Sequence, residues 1–134
     1  MRRVADRYSG YYEHSLDPKG RVTIPSKFRE QLGKTTAMMR GRGGCICLYS
    51  LSEWNAVYEK FEKIEESDVE AYDKMRKLLA TSVDDNEMDR QGRLLIPTTM
   101  RQYAGLEKDV VISGAGRHVE IWNRDEFFRF IEES

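Results

Sequence analysis

Apolar positions along this chain recur in short runs separated by turn residues. Residues 11–16 and 21–24 are β-prone, and the Asp17-Pro18-Lys19-Gly20 between them reads as a turn with a glycine suited to positive φ. Pro25-Ser26 then opens a short helix, with Ser26 as its N-cap and Gly33 as its stop. Residues 36–40 and 45–49 read as a hairpin joined through Gly41-Arg42-Gly43-Gly44. Ser50-Leu51-Ser52-Glu53 matches a capping box and starts the next helix. Late in the chain the pattern returns: residues 110–113 and 118–122 are joined through Gly114-Ala115-Gly116-Arg117, and the capping box is Asn123-Arg124-Asp125-Glu126. Each unit therefore predicts β-β-α-β-β-α.

A shift of 72 positions aligns residues 17–29 with residues 89–101, and six of these thirteen positions are identical: Asp17/Asp89, Gly20/Gly92, Arg21/Arg93, Ile24/Ile96, Pro25/Pro97 and Arg29/Arg101. After a one-residue slip, Leu48-Tyr49-Ser50 aligns with Ile121-Trp122-Asn123. The chain is a duplication of a unit of about 45 residues, too small to bury a good core alone. Between the copies, Leu51, Trp54, Val57, Tyr58, Phe61 and Ile64 fall at helical spacing, as do Val69, Tyr72, Met75, Leu78 and Leu79. Asp68 is placed to cap the second of these helices, and Asp84-Asp85 beyond it read as loop residues. The expected organisation is a first repeat over 8–55, a helical insert over 56–83 and a second repeat over 84–130. The expected fold class is α+β, with the β-hairpins of the two repeats interleaved.

Composition modifies this picture in one respect. With 40% hydrophobic and 34% charged residues in 134, the chain should fold, and no apolar run approaches the roughly 20 residues of a membrane span. The first seven residues are basic without an apolar stretch, which predicts no secretory signal. The formal net charge of −1 conceals an asymmetry. Residues 1–50 hold ten Lys/Arg against four Asp/Glu, residues 51–88 hold five against eleven, and residues 89–134 hold seven against eight. A basic block is followed by an acidic one.

Cys45 and Cys47 are one residue apart and would share a face of a strand as small hydrophobes; a disulfide between them would be strained. His14 and His118 sit in no metal-ligand spacing, so structural roles are expected for all four residues. No nucleophile–base pair or phosphate loop is present, which argues against an enzyme. The repeated Asp-x-x-Gly-Arg turn has two compatible readings. In one, Asp17 orients Arg21 and Asp89 orients Arg93 in salt-bridged turns. In the other, the arginines, with extra bases at Lys19 and Arg90, project from a β-surface toward phosphates or base edges, since a guanidinium is a planar bidentate donor. A carboxylate that pins an arginine also pre-organises it.

Leu16-Asp17-Pro18-Lys19-Gly20-Arg21-Val22-Thr23-Ile24-Pro25, its second copy Met88-Asp89-Arg90-Gln91-Gly92-Arg93-Leu94-Leu95-Ile96-Pro97, and Arg101-Gln102-Tyr103-Ala104-Gly105-Leu106 resemble the MraZ family. Leu51-Ser52-Glu53-Trp54 and Val119-Glu120-Ile121-Trp122 do so too, and the match runs from Tyr8 to Phe130. That family is similar to the AbrB/SpoVT class of swapped-hairpin DNA-binding folds, which implies a pseudo-two-fold module here. The resemblance implies a cytoplasmic, nucleoid-associated bacterial transcriptional regulator. It would bind repeated operator boxes in double-stranded DNA upstream of the division and cell-wall gene cluster, its own gene included, as a ring-shaped homo-oligomer. No cofactor, metal or small-molecule ligand is implied. By position, the DNA-contacting residues fall on Arg21, Lys19, Arg93 and Arg90, with Asp17, Asp89, Gly20 and Gly92 shaping the turns. The second motif departs in having Gln91 where the first has Lys19. Arg2, Arg3 and Arg7 lie on an extension with two readings, a frayed end, which is favoured, or a minor-groove arm. The alternative function is a protein-binding scaffold or antitoxin-like module on the same fold.

Overall fold

The computed structural model describes residues 7–133. Along the chain run β1 (Tyr11–Ser15), β2 (Arg21–Thr23), α1 (Ser26–Leu32), β3 (Thr35–Arg40), β4 (Ile46–Ser50), α2 (Leu51–Glu62) and α3 (Val69–Ala80). They are followed by β5 (Val83–Glu87), β6 (Arg93–Leu95), α4 (Thr98–Ala104), β7 (Asp109–Gly114), β8 (Val119–Asn123) and α5 (Arg124–Glu132). The architecture is mixed α+β, and six strands form one antiparallel sheet in the order β1-β7-β8-β4-β3-β5. β2 and β6 form a separate two-stranded antiparallel ribbon.

Pairing between the copies runs through the whole molecule. The hairpins β3–β4 and β7–β8 are local, as the glycine-rich connections predict. The runs flanking the Asp-x-x-Gly turn, in contrast, do not pair with each other. β1 crosses to β7 of the second copy, β5 crosses to β3 of the first, and β2 pairs with β6. β4 and β8 meet in the middle of the sheet, with Cys47 opposite Glu120. Asp84 and Asp85, expected in a loop, lie on β5. β5 is an edge strand, where exposed charge is tolerated and discourages further pairing.

Alternation along the strands divides the interior between the two faces of the sheet. Met38, Ile46, Leu48, Val110, Ile112 and Ile121 face one way and pack with Val22 and Leu94 of the ribbon and with Phe28, Leu32 and Met100 of α1 and α4. Ala37, Met39, Cys45, Cys47, Tyr49, Val111 and Trp122 face the other way, against Trp54 of α2 and Phe127 of α5, with Leu78 and Leu79 of α3 at the margin. The ribbon and the helical insert therefore cover opposite faces.

Helix starts follow the sequence in three of four tested places. Ser50 accepts from the backbone N–H of Glu53, Asn123 from that of Glu126 and Asp68 from that of Ala71. Ser26 is not a cap. Pro25 occupies that position with no side-chain bond, and Ser26 is the first helical residue. The Pro25 carbonyl takes the first bond, from Phe28 N–H at 2.9 Å, which begins the helix one residue early. Gly33 ends α1 as expected, at φ +78°.

Candidate nucleic-acid interface

Each Asp-x-x-Gly-Arg turn is locked by its own acid. Asp17 Oδ1 accepts the backbone N–H groups of Lys19 and Arg21, both at 2.9 Å, and Oδ2 accepts Arg21 Nε at 2.7 Å. Asp89 repeats the pattern with Gln91, Arg93 and Arg93 Nε at 2.9, 2.9 and 2.7 Å. Gly20 and Gly92 close the turns at φ +83° and +77°, a region that favours glycine. These bonds hold both carboxyls below the usual aspartate range; the backbone N–H of Arg21 does most for Asp17, and that of Arg93 for Asp89.

The locked arginines converge on the ribbon. The register pairs Arg21 with Leu95, Val22 with Leu94 and Thr23 with Arg93. Val22 and Leu94 are buried beneath, so Arg21, Thr23, Arg93 and Leu95 form the outward face, with the two arginines diagonal across it. With Nε held by the aspartate, no described residue bonds the Nη nitrogens of Arg21 or Arg93, which leaves two NH2 groups, four N–H donors, per arginine for an outside acceptor. The ribbon is closed at both ends by bonds between copies: Ile24 N–H to the Gly92 carbonyl at 2.8 Å and Ile96 N–H to the Gly20 carbonyl at 3.0 Å.

Lys19 and Arg90 both lie exposed on the turns, at non-equivalent positions. Arg7 is exposed, whereas Arg2 and Arg3 lie outside the described residues. The sequence also offered the identity Arg29/Arg101 without indicating its use. Arg101 packs over Gly20, where an added Cβ would sit 2.8 Å from its Cζ, and Arg29 packs against Gly92 in the same way. Their Nε groups donate to the Ile96 and Ile24 carbonyls at 3.0 and 2.7 Å. Each helix thereby braces the turn of the other copy, and each turn must be glycine for this reason as well.

One group of residues that the sequence treated separately is brought together elsewhere. Cys45, Cys47, His118 and Glu120 meet where β4 runs beside β8, on the face away from the ribbon. There burial lowers the His118 pKa, but hydrogen bonds to Cys47 and Glu120 outweigh it and raise the group to about 9.

The chain matches the family model described as "MraZ protein, putative antitoxin-like" over residues 8–77 and 80–134. It is 37% identical over 129 residues to a protein of Heliobacterium modesticaldum named "Transcriptional regulator MraZ", covering 95% of this chain and 88% of the relative. A protein of the same name from Caldanaerobacter subterraneus subsp. tengcongensis is 43% identical over 116 residues, covering 87% of this chain and 80% of the relative. One from Pediococcus pentosaceus is 41% identical over 127 residues, covering 95% and 88%. With the doubled turn and the strand order between copies, these matches leave one assignment: the chain belongs to the MraZ family.

Proposed function

We propose that this chain is a sequence-specific DNA-binding transcriptional regulator and that the β2–β6 ribbon is its DNA-reading element. The observation that carries this reading is the outward face of the ribbon, where two aspartate-locked arginines stand with their Nη groups uncommitted. A two-stranded ribbon is narrow enough to enter the major groove, and a pre-oriented guanidinium suits guanine or phosphate. Arg21 and Arg93 read base edges or phosphates; Lys19 and Arg90 add phosphate contacts. The two repeats act as one swapped-hairpin, pseudo-two-fold module, a reading supported by β1–β7, β5–β3 and β2–β6 pairing between copies. The relatives' shared name supports transcription regulation. The target in this reading is a set of repeated boxes upstream of the division and cell-wall cluster, the protein's own gene included. The assembly is a ring-shaped homo-oligomer that engages several boxes at once, which raises avidity through effective concentration. No described helix is long and apolar enough to cross a membrane.

Footprinting on the DNA upstream of the protein's own gene should show evenly spaced short protections. Arg21→Ala should weaken binding by roughly 5- to 150-fold, since a good bidentate contact is worth about 1–3 kcal/mol, while leaving the oligomer intact. Unchanged affinity in a gel-shift titration at fixed salt overturns the assignment of Arg21. The second reading, a protein-binding antitoxin-like module, draws on the family description and on exposed Val69, Phe130 and Ile131. It predicts tight partner association that survives Arg21→Ala and Arg93→Ala together.

A further inference from the structure

The two central strands of the sheet carry a second constellation, unconnected with the ribbon. Cys47 pairs directly with Glu120, Ile46 with Ile121 and Leu48 with Val119. Side chains alternate across a sheet, so Cys45, Cys47 and Tyr49 of one strand share a face with His118, Glu120 and Trp122 of the other. These triplets occupy equivalent positions of the two repeats, because the alignment that pairs Tyr49 with Trp122 also pairs Cys45 with His118 and Cys47 with Glu120. The duplication has thus placed two thiols on one side of the axis between the copies, and an imidazole and a carboxylate on the other.

The donors are close enough to share an ion. The sulfurs of Cys45 and Cys47 and a carboxylate oxygen of Glu120 all lie within 4.8 Å of one another. At the tetrahedral angle two ligands about 2.3 Å from one zinc stand about 3.8 Å apart, so an inward movement of at most about 1 Å suffices. His118 Nε2 lies 3.0 Å from Glu120 Oε2, beside this trio rather than within it. The surroundings are those of a closed site. Both cysteines are buried, and His118 and Glu120 are mostly so, with side chains 23% and 20% exposed. Gly41 forms a wall against both sulfurs: a Cβ there would sit 2.5 Å from one and 2.7 Å from the other. Tyr49 lies against the His118 ring at 5.2 Å, and Trp54 covers Tyr49. Trp122 Nε1 donates to Glu120 Oε1 at 3.0 Å and so orients the carboxylate from outside, as supporting groups do at metal centres.

We propose that Cys45, Cys47 and Glu120 hold a borderline-soft divalent cation of the zinc class, which clips β4 of the first repeat to β8 of the second, with His118 alongside. Two sulfurs select against magnesium and calcium, and burial between the two central strands suits a structural role. Binding forms two metal–sulfur bonds, and the thiol protons leave to solvent. The clip does not depend on the reading of the ribbon, and its test involves no DNA.

The test is a cobalt(II) titration of the full chain, reduced and stripped of metal, followed by zinc competition. One Co2+ per chain should bind with a thiolate-to-cobalt charge-transfer band, and stoichiometric Zn2+ should displace it. Cys47→Ser and Cys45→Ser should each remove the band, and Glu120→Gln should weaken affinity by at least 10-fold. Zinc should also raise the melting temperature of the unmodified chain, and not that of the cysteine variants. The unmodified chain decides even if a variant fails to fold. Absence of a thiolate band at stoichiometric cobalt overturns the proposal, as does a band of equal strength in Cys47→Ser.

Discussion

At the scale of single residues, the molecule repeats one device: an aspartate that closes its own turn and aims the arginine four positions on. The resulting ion pairs, Asp17–Arg21 and Asp89–Arg93 at 2.7 Å, are only partly covered, with side chains 27–36% exposed. Their attraction is therefore screened, and they are better understood as orienting devices than as sources of stability. Both carboxyls sit below the ordinary value of 3.8, because the charged form accepts three hydrogen bonds. A carboxyl lowered by folding contributes stability that is whole above its unfolded value and is lost as pH falls through its folded value. The turns should therefore hold unchanged at neutral pH and loosen only below about 3.8. Carboxyl-carbon NMR titration should find Asp17 and Asp89 midpoints below the ordinary aspartate value of 3.8, and Arg21→Ala should move Asp17 upward while leaving Asp89 in place. An Asp17 midpoint at or above 3.8 would contradict the lock. This device was legible in the sequence, since acid, glycine and arginine lie within five residues and recur 72 positions later. The cysteine–histidine–glutamate group was not, because no local spacing links Cys47 to Glu120; their meeting depends on the pairing of strands that lie far apart in the chain.

At the scale of elements, helix starts separate what a motif states from what the backbone does. Ser50 and Asn123 follow strands directly and turn the chain from sheet to helix, each accepting the N–H of the glutamate three residues on. Ser26 has the same residue type in a plausible context, yet the proline before it already takes the cap position, and the hydroxyl has no end to satisfy. Ser50→Ala and Asn123→Ala should each cost about 1 kcal/mol in denaturant unfolding, whereas Ser26→Ala should stay within about 0.5 kcal/mol of the parent. A loss at Ser26 as large as that at Ser50 would show that the cap is misplaced. Strand positions were readable wherever a hairpin was local, as at β3–β4. β1 and β2 were readable too, although each pairs far from the turn they flank; the misread strand is β5, which reads as loop because its charges are typical of an edge. Sequence patterns report which residues want a strand and are silent about the partner.

At the scale of the whole molecule, duplication explains both the fold and the distribution of charge. The basic first repeat and the near-neutral second one share the ribbon on one face of the sheet, while the acidic insert packs its apolar edge, Leu78 and Leu79, against the other. The charge asymmetry read from the sequence is thus also an asymmetry between faces. The same arrangement leaves neither repeat with a private core. Ile24 and Ile96, equivalent in the two copies and fully buried, belong to one cluster with Val22 and Leu94, and each repeat supplies strands to the other's half of the sheet. Cutting a buried isoleucine to alanine costs about 2–5 kcal/mol through lost burial and the cavity left behind. If the copies share one core, Ile24→Ala and Ile96→Ala should destabilise the entire chain alike, each giving a single unfolding transition. Trp54 and Trp122 report from the opposite face of the sheet, so their fluorescence and the far-ultraviolet dichroism should change together in both variants. Two separated transitions, or a variant that melts the helices of its own repeat while the other repeat persists, would mean that the repeats fold as independent units. The strand pairing between copies argues against that outcome, because every strand outside the two local hairpins has its partner in the other repeat.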